Sequence, residues 1–257
     1  MELTRHNYFS PEMSYKYFGS TQFKEFMECP AQALAITRGT WAKPKTLPLL
    51  IGSYVDAYFE GTLDQYKKNT PELFTLAGRL KAQFLHADKM IERVKKDQLF
   101  SKYMSGEKQV IKTGCIAGVP VKIRIDSYHP GKAIVDLKTV KNFEPIYNEE
   151  KGCYEDFIRA YGYDYQAAFY QAVEGNHLPF FIAAVTKEDE PDFEVISVPQ
   201  EWIDAARVSI ENEIAVFQAI KEGKIAASRC GKCAYCRQTK KLSRVISAYE
   251  LIAKEGD

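Results

Sequence analysis

The stretch VPVKIRIDSYHPGKAIVDLKTV, residues 119–140, restricts the fold of this chain more than any other. Two runs rich in Val and Ile flank the turn residues Pro130-Gly131, which predicts a hairpin of two strands. EKQVIK, from Glu107, precedes it across breaks at Gly114 and Gly118-Val119-Pro120, so a three-stranded meander is expected. In VKIRID, Val121, Ile123 and Ile125 alternate with Lys122, Arg124 and Asp126, which predicts one apolar face and one charged face pointing outward. Residues two apart on a strand share a side, so Asp136 and Lys138 project together, and the turn returns Asp126 beside them. Two carboxylates and an ammonium at one hairpin end are costly without compensation. A hard divalent cation, Mg²⁺ or Mn²⁺, supplies it, with Asp126 and Asp136 as side-chain ligands and the Leu137 carbonyl as a third. Such an ion polarises a phosphate and lowers the pKa of a bound water. Lys138 then orients or deprotonates that water, or neutralises charge in the transition state. An Asp-x-Lys tripeptide alone is a weak signal; the Ile-Asp strand before it and the apolar run Ala133–Val135 strengthen it.

Upstream, FKEFMECPAQALA reads as a helix capped by Ser20 and ended or kinked at Pro30. LLIGSYVDAYFEG reads as a second helix and RLKAQFLHADKMIERVKKDQLF as a half-exposed third. Downstream, DFIRAYGYDYQAAFYQAVEG is expected to be a helix ending at Gly175, LPFFIAAVT a central strand and FEVISVP another short strand. QEWIDAARVSIENEIAVFQAIKEG follows as a long amphipathic helix. This order predicts an α/β fold, one mixed sheet flanked by helices. No repeat or linker divides the chain, so residues 1–257 read as a single domain: N-terminal helices over 20–100, a catalytic core over 105–223 and a Cys-containing tail over 224–257.

Hydrophobic residues make up 46% of the chain, enough for one substantial core. The formal net charge of +1 gives no global attraction to nucleic acid, so such binding needs local basic clusters. Lys122 and Arg124, sharing the face of Asp126, are candidates to hold phosphates. No run approaches the roughly 20 apolar residues of a membrane span. The N-terminus lacks the apolar region of a secretory signal. A cytoplasmic protein with no membrane partner is expected. In a reducing compartment Cys230-x-x-Cys233-x-x-Cys236 places three thiols at a spacing suited to a shared metal, and Cys29 is the candidate fourth.

In order along the chain, FMECPAQALA, IGSYVDAYFEG, GEKQV, RIDSYHPGKAIVDLKT and YGYDYQAAFYQ resemble segments of the PD-(D/E)xK nucleases, most nearly phage RecE-like exonucleases of the exodeoxyribonuclease VIII type. The resemblance covers most of the chain. It implies a restriction-endonuclease-like fold and Mg²⁺-dependent exonucleolytic hydrolysis of DNA at double-stranded ends in phage-type recombination. Asp126, Asp136 and Lys138 take the family's core positions. Glu107 stands on the strand where relatives often carry an acidic metal contact. Gln166 and Tyr170 match the family's Gln-x-x-x-Tyr element, in which the Gln contacts DNA or positions the lysine. Many relatives have a metal-binding His four residues after the Gly of IGSYVDAYFEG; that position is Asp56 here, a substitute ligand for Mg²⁺. Relatives commonly act with a single-strand annealing recombinase and form rings, which implies a homo-oligomer. Iron–sulfur nucleases of the superfamily, of the helicase-linked AddB type and the CRISPR-adaptation type, join one early cysteine to three late ones. By that likeness Cys29, Cys230, Cys233 and Cys236 hold a [4Fe–4S] cluster, with Zn²⁺ as the alternative, and a CRISPR-adaptation or helicase-linked role is an alternative function. A non-catalytic DNA-binding protein retaining the fold is a further alternative. Its mark is loss of Asp126, Asp136 or Lys138, and all three are present.

Overall fold

The computed structural model describes residues 2–149 and 151–252. Helices open the chain: α1 (Pro11–Lys16), α2 (Ser20–Glu28), α3 (Pro30–Thr37), α4 (Leu47–Phe59), α5 (Leu63–Asn69), α6 (Ala82–Lys95) and α7 (Gln98–Tyr103). The meander follows as β1 (Glu107–Ile116), β2 (Val119–His129) and β3 (Ala133–Val140). A short ribbon of β4 (Ile146–Asn148) and β5 (Cys153–Glu155) leads into α8 (Phe157–Ala160) and α9 (Tyr163–Glu174). Then come β6 (Phe180–Thr186), β7 (Phe193–Ser197), the long α10 (Gln200–Lys221), α11 (Ala234–Gln238) and α12 (Tyr249–Ile252). The main sheet has the order β1-β2-β3-β6-β7. Only β3 and β6 run parallel, joined by the crossover through α8 and α9. This is the mixed α/β sheet that the sequence predicts, in a restriction-endonuclease-like arrangement.

Side-chain alternation on the two central strands sorts the core into two halves. Ile134, Ile182 and Ala184 pack with Phe23 and Phe26 of α2, Phe169 of α9 and Ile210, Ile214 and Phe217 of α10. Val135, Leu137, Ala183 and Val185 point the other way, onto Tyr54 and Val55 of α4, Phe84 and Met90 of α6 and Phe100 of α7. Strands buried on both faces need apolar residues at both parities, which is why AIV and FFIAAV are continuous apolar runs. Phe23 is fully buried against Phe169 and Phe217, with ring centroids at 5.6 and 5.3 Å. Truncating it to Ala costs about 3–5 kcal/mol.

Three local expectations are corrected. The helix predicted across Pro30 is two helices, broken at Cys29, whose extended backbone (φ −162°, ψ 98°) caps both; Pro30 takes the first-turn position of α3, where its missing N–H is harmless. The helix predicted through Phe100 breaks as well, and Asp97 restarts it by accepting the Phe100 N–H at 2.8 Å. Ser20 is the first residue of α2 and not its cap; Gly19 takes the N-cap place, with no side-chain hydrogen bond.

The fourth correction bears on the site. The charged face of β2 does not point outward. Strands β2 and β3 pair only over Ser127–His129 against Ala133–Val135 and then diverge. Phe18 occupies the vacated edge: its N–H donates to Pro120 O at 2.9 Å and its carbonyl accepts the Lys122 N–H at 2.8 Å. The preceding residues Tyr8 and Phe9 then cover Lys122 and Arg124. The Lys122 ammonium donates to Tyr8 O over the Tyr8 ring, and the Arg124 guanidinium lies 4.7 Å from the Phe9 ring centre.

Candidate active site

The divergence of β2 from β3 opens a wedge in the sheet, and Asp126 fills it. Its Oδ2 accepts the Leu137 N–H at 3.0 Å, and its Oδ1 accepts the Gln109 amide at 3.1 Å. Asp136 sits one residue earlier on β3, 2% exposed, with Oδ1 accepting the Gln166 amide and Oδ2 facing the Lys138 ammonium. The Gln166 amide also lies 3.3 Å from the Tyr170 hydroxyl, which donates to Arg124 O at 2.6 Å. One turn of α9 thus braces both Asp-bearing strands from behind. Asp56 comes from α4 on the opposite face. Asp56, Asp126, Asp136, Leu137, Lys138, Gln166 and Tyr170 together line a cavity of 380 Å³.

The electrostatics are those of an under-neutralised acidic pocket. Burial pushes the Asp136 carboxyl up, with Lys138 opposing and Asp126 adding to the rise. Burial raises Asp56 well above the usual carboxylate range, and Asp126 and Asp136 outweigh what Lys138 gives back. Burial alone would pull Lys138 down, but Asp136, Tyr163 and Asp126 overcome it and hold the ammonium charged. One ammonium thus faces three carboxylates. Asp136 Oδ2 makes no hydrogen bond among the described residues and meets that ammonium alone. A donor set made of carboxylate oxygens plus the neighbouring Leu137 carbonyl suits a hard divalent cation.

Residues expected at the site are not all there. Glu107 is exposed at the start of β1, opposite Tyr128, outside the lining of this cavity. The residue of β1 that reaches Asp126 is Gln109, whose left-handed backbone (φ +55°) is uncommon for a side chain other than Gly, Asn or Asp. That backbone costs about 1–3 kcal/mol and aims the amide at Asp126. Lys122 and Arg124 line the cavity, but the Lys122 ammonium is committed to Tyr8, and burial lowers its pKa to about 8. Two further lysines, Lys24 and Lys187, lie close to the site. Lys24 of α2 donates to Tyr161 O at 2.9 Å; burial and the Lys138 charge lower it to about 8. Lys187, after β6, donates to Thr139 O at 2.5 Å. A Lys on an amphipathic helix or past a strand end carries no local signal of such a position.

The four cysteines named from the sequence converge. Their sulfurs all lie within 4.8 Å of one another, with Cys29 3.6 Å from Cys236 and 3.8 Å from Cys233, and Cys230 4.0 Å from Cys236. Backbone N–H groups of Cys233 and Cys236 point at the sulfurs of Cys230 and Cys233, at 3.3 and 3.4 Å. The Cys233 N–H holds the Cys230 thiol below its usual range, favouring the thiolate that binds metal. Cys115 and Cys153 are exposed and outside this group.

Among curated proteins, none matches this chain significantly. A crystal structure of a candidate exonuclease from Eubacterium rectale is similar over 98% of this chain and 99% of that one, at 41% identity and a TM-score of 0.94. A second solved structure, SSO0001, aligns over 74% of this chain and 85% of its own at 13% identity, with a TM-score of 0.31 that supports no comparison. The family described as a PDDEXK-like domain of unknown function (DUF3799) matches residues 19–239. The chain belongs to this PDDEXK-like family, within the PD-(D/E)xK nucleases.

Proposed function

We propose that this chain is a metal-dependent deoxyribonuclease acting exonucleolytically on double-stranded DNA ends. The observation that carries the reading is the convergence of Asp56, Asp126, Asp136 and Lys138, from three separate elements, on one solvent-reachable cavity. Exonuclease action is favoured by the name of the similar protein from Eubacterium rectale. The side chains of Asp126, Asp136 and Asp56 and the carbonyl of Leu137 would hold Mg²⁺ or Mn²⁺. A bound ion of this kind neutralises phosphate charge and lowers the pKa of a water next to it. Lys138, held as an ammonium by its carboxylate neighbours, orients that water and offsets charge developing on the phosphate. Gln166 keeps Asp136 aimed into the cavity, and Tyr170 fixes the β2 backbone beside Asp126. Arg124, braced on Phe9, is the cation placed to meet a flanking phosphate. A single-strand annealing partner and a ring-shaped homo-oligomer fit the same reading. The test is incubation of end-labelled linear duplex with Mg²⁺ or with EDTA. End-dependent loss of label only with metal supports the proposal; an intact duplex under every divalent condition sinks it.

The thiol group takes a single tetrahedral ion, Zn²⁺ in the first instance, in preference to [4Fe–4S]. With metal–sulfur bonds of about 2.3 Å, the edge of a tetrahedron of sulfurs is about 3.8 Å. The sulfur separations of 3.6, 3.8 and 4.0 Å match that edge. A four-iron cube places each cysteine on a different iron, with sulfides between, and holds the thiolates much farther apart. The centre ties the α2–α3 junction to the tail, a structural clasp outside the catalytic cavity.

A further inference from the structure

A second cavity opens on the far side of the catalytic residues. It has a volume of 630 Å³ and shares Asp56, Leu137 and Lys138 with the first, so the two cavities adjoin at these residues. Their linings differ in charge. Besides Asp56, the charged residues of the second cavity are all lysines, Lys138, Lys141 and Lys187. Its rim is apolar and open: Leu49 on the first turn of α4 is 60% exposed and Tyr161, between α8 and α9, is 49% exposed. Exposed apolar side chains beside a row of cations, at the mouth of a catalytic cleft, need an occupant that is anionic along one edge and flat and apolar along the other.

Tyr161 is held in place. Its ring centre lies 5.9 Å from that of Tyr163, which in turn sits 4.9 Å from the Lys138 ammonium and 5.3 Å from that of Lys24. Lys24 also donates to the Tyr161 carbonyl. Gly162 makes the turn between the tyrosines at φ +62°, and a Cβ there would come within 2.8 Å of the Lys24 side chain. The outward face of Tyr161 therefore continues an aromatic and cationic column that starts at the catalytic lysine.

We propose that this second cavity is a subsite for unpaired nucleotides of the strand that passes through the catalytic centre, with a base stacked on Tyr161 and the strand's phosphates beside the exposed Lys141. The inference rests on the nuclease reading and adds the form of the substrate. Inside a duplex both faces of a base are covered by its neighbours and only the terminal pair leaves one open, so a side chain placed along the strand meets free base faces in an unpaired segment. The cleft therefore accepts single strands directly.

The experiment uses full-length protein, Ca²⁺ in place of Mg²⁺, and single-stranded oligonucleotides carrying 2-aminopurine, whose fluorescence is quenched by aromatic stacking. Wild type should quench the probe at one or two positions. Tyr161→Ala should abolish that quench and weaken single-strand binding roughly 5- to 150-fold, the span of base–aromatic stacking. Tyr161→Trp should restore both. Lys141→Ala should lower the salt dependence of binding by about 0.7 in log–log slope, one phosphate contact on a single strand. If Tyr161→Ala quenches and binds like wild type while both degrade duplex in Mg²⁺, the subsite is wrong and the nuclease reading stands. If wild type neither binds nor cuts DNA with any divalent ion, both fall together.

Discussion

Asp126 accepts the backbone N–H of Leu137 at 3.0 Å, so the first aspartate of the site is anchored to the strand that carries the second. The bond exists because β2 and β3 have already parted at that point. A continuous ladder would satisfy the Leu137 N–H with backbone and leave no gap for a carboxylate. Leu137 also lines the cavity beside this gap. Site geometry here is a consequence of incomplete strand pairing.

Lys138 faces the carboxylates of Asp56, Asp126 and Asp136, so its loss has two signatures. Lys138→Ala should cut Mg²⁺-dependent degradation of linear duplex by at least about a hundredfold, the scale of losing one preorganised charge partner. Without metal it leaves Asp136 buried and unpaired, so melting in EDTA should come at lower temperature than for wild type. Added Mg²⁺ should raise the melting temperature more in the variant than in wild type. A variant that degrades DNA at the wild-type rate would remove Lys138 from the mechanism.

Gln166 bridges Asp136 and Tyr170, and through Tyr170 it braces the Arg124 carbonyl. Gln166→Ala leaves a buried carboxylate oxygen without its donor, which costs about 1–3 kcal/mol in urea unfolding. Tyr170→Phe should cost about 1 kcal/mol. Because the groups form one chain, the double variant should lose less than the sum of the two singles. Strict additivity would show that the network does not act as a unit.

The convergence of Asp126, Asp136 and Lys138 was legible because strand alternation and one tight turn nearly determine where they go. The two-sided burial of β3 and β6 was legible for the same reason, in their unbroken apolar runs. Lys122 misled because its parity is that of an exposed strand face, and only the return of Phe18 to the β2 edge covers it. Gln109 was hidden because its role depends on a left-handed backbone that Gln does not advertise. Lys187 and Tyr161 reach the cleft, and Lys24 the Tyr163 ring beside it, through tertiary packing of β6, the α8–α9 turn and α2, and no spacing along the chain encodes that approach.

Cys29 lies at the α2–α3 junction and Cys236 within α11, and Arg229 supports the contact by donating to Cys236 O at 3.0 Å. Purified protein should carry about one zinc per chain and no labile sulfide, and Co²⁺ exchange should give the absorption of a tetrahedral thiolate site. Chelation, or Cys236→Ser, should lower the melting temperature by several degrees, at about 2–4 °C per kcal/mol for a chain of this size. Four irons with matching sulfide would replace the single ion by a cluster.

Lys221, at the end of α10, is 1% exposed, donates to Ser14 O at 3.0 Å and lies 3.9 Å from the Phe18 ring centre. Burial, with the Lys122 charge adding and Glu222 opposing, lowers its pKa to about 7, while Lys122 is lowered to about 8. Both folded values lie below the ordinary lysine value of about 10.4. Between pH 7 and 10 the unfolded chain therefore binds more protons than the folded one, and stability rises with pH across that window. Below pH 7 both lysines are charged in either state and the dependence flattens. Lys221→Met keeps the buried stem without the charge. It should raise the unfolding free energy at pH 7 and reduce the gain between pH 7 and 9.5 by on the order of 1–3 kcal/mol. Urea titrations of both proteins at the two pH values measure this. Equal slopes for wild type and variant would mean that Lys221 keeps its proton throughout, held by Ser14 O and the Phe18 ring.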